Sequence, residues 1–80
     1  MRFGEQLFTE RKKRKLSAEA LAKACDISRS YVTLMENNKR LPGKKIIPKI
    51  AVALNIKANI VINWYLEDLS QKIQKDLRIS

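Results

Sequence analysis

The stretch SAEALAKACDISRSYVTLME, Ser17 to Glu36, constrains this chain more than any other. A serine hydroxyl accepts a hydrogen bond from the free N–H groups of an opening helical turn, so Ser17 starts one helix and Ser28 a second. Ala18 to Ala24 are mostly strong helix formers, and Leu21, Ala24 and Cys25 recur at i, i+3, i+4 as the edge expected to be buried. Asp26 stands where the chain must leave the first helix, and Ile27 is the apolar residue of the turn. Arg29 to Glu36 forms the second helix, with Val32 and Met35 inward and Ala22 small enough to let the two helices approach closely. Helices joined by so short a turn cross at a steep angle, which leaves positions 29, 30, 33 and 34 facing outward.

With 80 residues, 45% of them hydrophobic, two glycines and two prolines, the chain reads as one small helical domain. Its net charge of +9 points to a polyanionic partner, nucleic acid ahead of an acidic membrane surface. Twelve of the 17 Lys and Arg, but only five of the 8 acids, precede Ile46, so the N-terminal half is the one that faces that partner. One cysteine and no histidine exclude an internal disulfide and the usual zinc spacings; Cys25 reads as a small buried hydrophobe. Without histidine there is no Ser-His-Asp arrangement, and no glycine-rich phosphate loop occurs. Neither an enzyme nor a cofactor is expected. MRFGEQLF has no long apolar region after Arg2, so no secretory signal is expected. Its most apolar stretch, Ile46 to Ile62, is broken by Pro48, Lys49, Asn55, Lys57 and Asn59 and falls short of the about 20 apolar residues that span a bilayer. A soluble intracellular protein is the expectation.

Phe3 to about Lys15 reads as a first helix, with Phe3, Leu7 and Phe8 as its apolar face, Leu16 closing over it and Arg11 continuing the four-residue spacing. The run RKKRK, Arg11 to Lys15, suits a helix C-terminus and equally suits attraction to phosphates, through Lys15 or Arg14. Asn37 to Lys45, NNKRLPGKK, is a cationic loop of the kind that fixes register on a phosphate backbone. Pro48 is tolerated in a first helical turn; that helix buries Ile47, Ile50, Ala51 and Leu54 and ends at Asn55. Asn59 is expected to cap a last helix over 60–78, roughly 28 Å long, whose seam is Ile62, Leu66, Leu69, Ile73 and Leu77, flanked by Trp64 and Tyr65. Its first half closes the core. Its second half either folds back on its own domain or pairs with a second copy through Leu69, Ile73 and Leu77.

The ordered set Leu21-Ala22, Ile27-Ser28-Arg29-Ser30-Tyr31-Val32, Glu36-Asn37-Asn38-Lys39-Arg40, Pro42 and Ile50-Ala51-Val52-Ala53-Leu54-Asn55-Ile56 resembles the Cro/CI-type (lambda-repressor-like, XRE) helix-turn-helix DNA-binding domains over roughly residues 3 to 56. Three positions depart from the pattern: Ala18 stands where a glutamine is common, and Asp26 and Asn38 replace glycines. Asp and Asn are the side chains that best tolerate left-handed backbone angles. The resemblance implies an all-α bundle of five helices, with residues 1–58 as the helix-turn-helix domain and residues 59–80 as a long C-terminal helix. It also implies an ion pair between Arg11 and Glu36.

By that resemblance the protein is a sequence-specific, double-stranded-DNA-binding transcriptional repressor, a cytoplasmic homodimer of bacterial or phage origin. The helix 29–36 lies in the major groove. Arg29, Ser30, Thr33 and Leu34 would face bases: Arg29 by donating to guanine O6 and N7, Leu34 against a thymine methyl or else packed on Arg40 or a neighbouring subunit. Lys15, Ser17, Ser28, Tyr31 (through a free hydroxyl), Asn37, Lys39 and Arg40 would meet phosphates. An antitoxin or adaptor acting through a toxin or other protein partner is the alternative. RNA is disfavoured, because the few aromatics form no base-stacking platform.

Overall fold

A computed structural model describes residues 2–79, and nearly every helix boundary in it has a local cause. The elements are α1 (Phe3–Lys13), α2 (Ala18–Cys25), α3 (Arg29–Glu36), α4 (Ile46–Leu54) and α5 (Ala58–Ile79), an all-α arrangement of five helices. Ser17 Oγ accepts from the Ala20 N–H at 3.0 Å and Ser28 Oγ from the Tyr31 N–H at 3.1 Å, caps worth about 1 kcal/mol each.

The first four helices all end in the same way. Lys15, Asp26, Asn38 and Asn55 take left-handed backbone angles, φ 54°, 56°, 60° and 57°. The N–H of the next residue then reaches back five positions: Leu16 to Arg11 O, Ile27 to Ala22 O, Lys39 to Leu34 O and Ile56 to Ala51 O. This closure satisfies carbonyls that the helix itself cannot. In three cases the donor is apolar and packs on the core (Leu16, Ile27 and Ile56). At Lys15 the conformation carries a penalty on the order of 1 kcal/mol, since its Cβ crowds the backbone there.

The core gathers Phe3 and Leu7 of α1, Leu21, Ala22 and Cys25 of α2, Val32 and Met35 of α3, Ile47, Ile50, Ala51 and Leu54 of α4, and Val61 and Trp64 of α5. Phe3 meets Trp64 edge to face, ring centroids 6.2 Å apart. Four sequence expectations fail here. Phe8 is 46% exposed, its ring capped by the cations of Arg11 and Lys12 instead of by the core. Ala24 is exposed; the small residue α2 turns inward is Ala22. In α5 the packed face is Val61, Trp64 and Asp68, with Tyr65 beside it, whereas Ile62 and Leu66 point outward. The indole fills the space beside Phe3, and docking it rotates the Ile62–Leu77 seam away from the body. Asn59 is not the cap: α5 already runs from Ala58, closed by the Ile60 N–H to Lys57 O.

The start of α1 is held from afar. Arg2 offers no side-chain cap; instead the Phe3 N–H donates to Asp68 Oδ2 of α5 at 3.0 Å, and the Gly4 N–H to Asn38 Oδ1 at 3.1 Å. A Cβ on Gly4 would stand 2.3 Å from Met35 O and 2.7 Å from Glu36 O, so α1 rests directly on the last turn of α3 and only glycine fits. Arg14 ties α1 to α4, its Nε donating to Leu54 O at 2.6 Å while Nη1 holds Glu10. Its guanidinium is therefore spent on a helix C-terminus, contrary to the phosphate role considered for it.

Candidate nucleic-acid interface

The face of α3 turned away from the core is set by where its apolar residues go. Val32 and Met35 are fully buried, and Arg29, Ser30, Thr33 and Leu34 are exposed and line one open depression. Thr33 Oγ1 donates to Arg29 O at 3.2 Å. Its hydroxyl proton is thus spent within the helix, which leaves the oxygen as an acceptor. Leu34 is 40% exposed, and Arg40 packs elsewhere, 4.7 Å from the Tyr31 ring centroid. Packing on Arg40 is not what holds Leu34.

Ser17 and Ser28 sit exposed at the N-termini of α2 and α3. Each uses its oxygen as the cap and keeps its hydroxyl proton for an acceptor outside. The backbone N–H groups of those first turns add positive potential, which favours an anion. Tyr31 departs from expectation: its hydroxyl is not free but accepts the Gly43 N–H at 3.0 Å. With Arg40 stacked on its ring, Tyr31 fastens the 37–45 loop to α3, and only its hydroxyl proton remains to be given. Asn37, Lys39 and Lys15 are exposed. Lys39 is placed at the end of α3 by its own N–H, which donates to Leu34 O at 2.9 Å.

Behind this face α3 is fixed by Arg11. Nε and Nη2 donate to Glu36 Oε2 and Oε1 at 2.7 and 2.9 Å, and Nη1 donates to Leu16 O at 2.9 Å. The hydrogen bond to Glu36 holds the guanidinium pKa above even its ordinary value. Glu10, gripped first by Arg14 and then by Lys13, is held below the usual carboxylate range. Burial pushes the Cys25 thiol up, opposed by Lys49, so it is a poor nucleophile. Among the described residues no group of three or more His, Cys, Asp or Glu could hold a metal ion, and no helix is long and apolar enough to cross a membrane.

Two capped helices crossing at a turn of left-handed Asp26, with the outer face of the second left bare, are matched by the family model described as "Helix-turn-helix" over residues 7–61. The chain belongs to the helix-turn-helix family. This helix-turn-helix protein is 32% identical over 60 residues to the ImmF control region 10 kDa protein of Bacillus phage phi105, covering 75% of this chain and 67% of that one. The crystal structure of the restriction-modification controller protein C.AhdI from Aeromonas hydrophila superposes with a TM-score of 0.70 at 36% identity, covering 74% of this chain and 89% of that one. The clp gene regulator ClgR from Corynebacterium glutamicum shares the fold, with a TM-score of 0.72 at 21% identity over 95% of this chain and 82% of that one.

The roles missed from sequence are those whose partners lie far along the chain: Asp68 and Asn38 as caps, Gly4 as a close packing point, and Arg14 as a tie to α4. Only Asp68 left a trace, a carboxylate seven residues after Val61 and four after Trp64, on the face those two bury. On α5, Leu69 is half-buried while Ile73 and Leu77 are 52% and 69% exposed.

Proposed function

We propose that this helix-turn-helix protein is a transcriptional repressor that reads double-stranded DNA as a cytoplasmic homodimer, α3 lying in the major groove. That it is a DNA-binding transcriptional regulator rests on its family; the relatives named as phage control-region and restriction-modification controller proteins fit that role. The observation carrying the finer reading is the outward face of α3, where Arg29, Ser30, Thr33 and Leu34 share one open depression. Side chains at the start of such a helix read base edges; Ser17, Ser28, Asn37, Lys15, Lys39 and Arg40 meet phosphates. Selecting bound duplexes from a random pool tests it. A dimer returns a two-fold symmetric consensus with half-sites about 34 Å apart, whereas a pool that never enriches rejects the reading.

Within that scheme Lys39→Ala is expected to weaken binding to all duplexes alike and to lower the slope of log Kobs against log salt by about one. A change in base preference would mean that Lys39 reads bases instead.

The second copy is held by the outward seam of α5. Ile62, Leu66, Ile73 and Leu77 form an exposed apolar row at helical spacing, which a two-fold partner buries against its own equivalent. Ile73→Glu combined with Leu77→Glu is expected to give a folded monomer in sedimentation, with a single half-site footprint. An unchanged dimer would place the interface elsewhere, and a wild-type monomer that binds protein but not duplex would favour the adaptor alternative.

A further inference from the structure

The cations of this protein divide into those paired within the fold and a larger number that are not, four of which share one region. Arg11, Lys13, Arg14 and Lys23 each face a carboxylate, of Glu36, Glu10, Glu10 and Glu19 respectively. Among the described residues Arg2, Lys39, Lys72 and Lys75 have no such ion pair. Those four line a cleft made of two adjoining hollows that share Arg2, Asp68 and Lys72. It opens at Lys39 and Arg40, beside the end of α3, passes Arg2 at the start of α1, and runs along α5 over Lys72 to Lys75. Of the acids in it, Asp68 is already turned onto the Phe3 N–H, leaving Asp76 at the far end.

We propose that this cleft carries the phosphate backbone of the same duplex that α3 reads, extending the contact from Lys39 onto the distal half of α5. The inference rests on α3 being the DNA-facing helix. Its geometry begins there: the Lys39 N–H bonded to Leu34 O fixes the mouth of the cleft to the end of α3. Lys72 and Lys75 follow Asp68 by four and seven residues and so lie on one side of α5, the far side from Leu66, Ile73 and Leu77. A second copy can therefore cover the apolar side while the basic side stays open. An array of unneutralised cations with no base-reading geometry suits phosphates, which position without specifying. An acidic protein segment is the competing occupant.

The test is the salt dependence of binding for Lys72→Gln/Lys75→Gln, on the selected duplex and on an unrelated one. Both side chains are exposed, so the melting temperature should hold. Two lost phosphate contacts lower the slope of log Kobs against log salt by about 1.8, roughly a tenfold smaller loss of affinity between 50 and 200 mM salt, on both duplexes and with base preference intact. The charge-matched pair Lys23→Gln/Lys57→Gln should leave the slope at its wild-type value. The proposal is overturned if the cleft pair leaves the slope unchanged, or if both pairs lower it equally, which would reduce the effect to net charge. It is also overturned if the cleft pair loses binding to a poly-glutamate peptide but not to DNA. Should wild-type protein prefer no duplex over another, the reading of α3 fails, yet the slopes on unrelated DNA still decide the cleft.

Discussion

Arg11→Ala is expected to cost about 3–5 kcal/mol of folding stability, because it leaves the partner carboxylate of a buried ion pair uncompensated. Arg11 is 8% exposed, and its three donating nitrogens reach both Glu36 oxygens and Leu16 O. In a domain of this size each kcal/mol is worth about 4–8 °C in melting temperature, so a loss of at least about 12 °C should appear in a thermal melt followed by circular dichroism. The pair does not owe its presence to stability alone. Replacing both partners by apolar residues of similar volume, Arg11→Met with Glu36→Leu, should recover most of the loss. DNA binding should not recover with it, since the pair fixes the angle of α3 on α1. Melting unchanged in Arg11→Ala, together with unchanged duplex affinity, would refute this account.

The second large effect is on recognition. Arg29→Ala is expected to lower discrimination at one base position by about 1–3 kcal/mol, a factor of roughly 5 to 150, while other positions keep their preference. Arg29 opens α3, is exposed, and its side chain makes no hydrogen bond or ion pair among the described residues, so stability should change little. Binding to the selected duplex and to its single-base variants measures the effect. A uniform loss across all of them would make Arg29 a phosphate contact.

Much of this was legible because its causes are local. A serine three residues before the N–H it caps, or an Asp or Asn where the chain must turn left-handed, needs no knowledge of the rest of the fold. Lys15 escaped notice because nothing in a lysine favours that conformation; the closure around Leu16 imposes it. The facing of α5 was misread for a different reason. The helix carries apolar residues on two sides, and periodicity cannot say which side is docked. That is decided by Trp64 meeting Phe3, a contact across most of the chain. The long-range caps on α1 leave almost no local signature. At the interface, the outward set on α3 followed from Val32 and Met35 alone. The seat of Tyr31 depended on Gly43, whose position only the folded loop supplies.

The bond from the Phe3 amide to Asp68 joins positions 65 residues apart. During synthesis the leading helix therefore emerges long before the carboxylate that completes it, and any early association of α1 with α3 leaves that amide to water. Only once residue 68 has been made can α1 and α5 be clasped together. A product stopping short of residue 68 would lack the clasp, and its first helix would keep that amide turned to water.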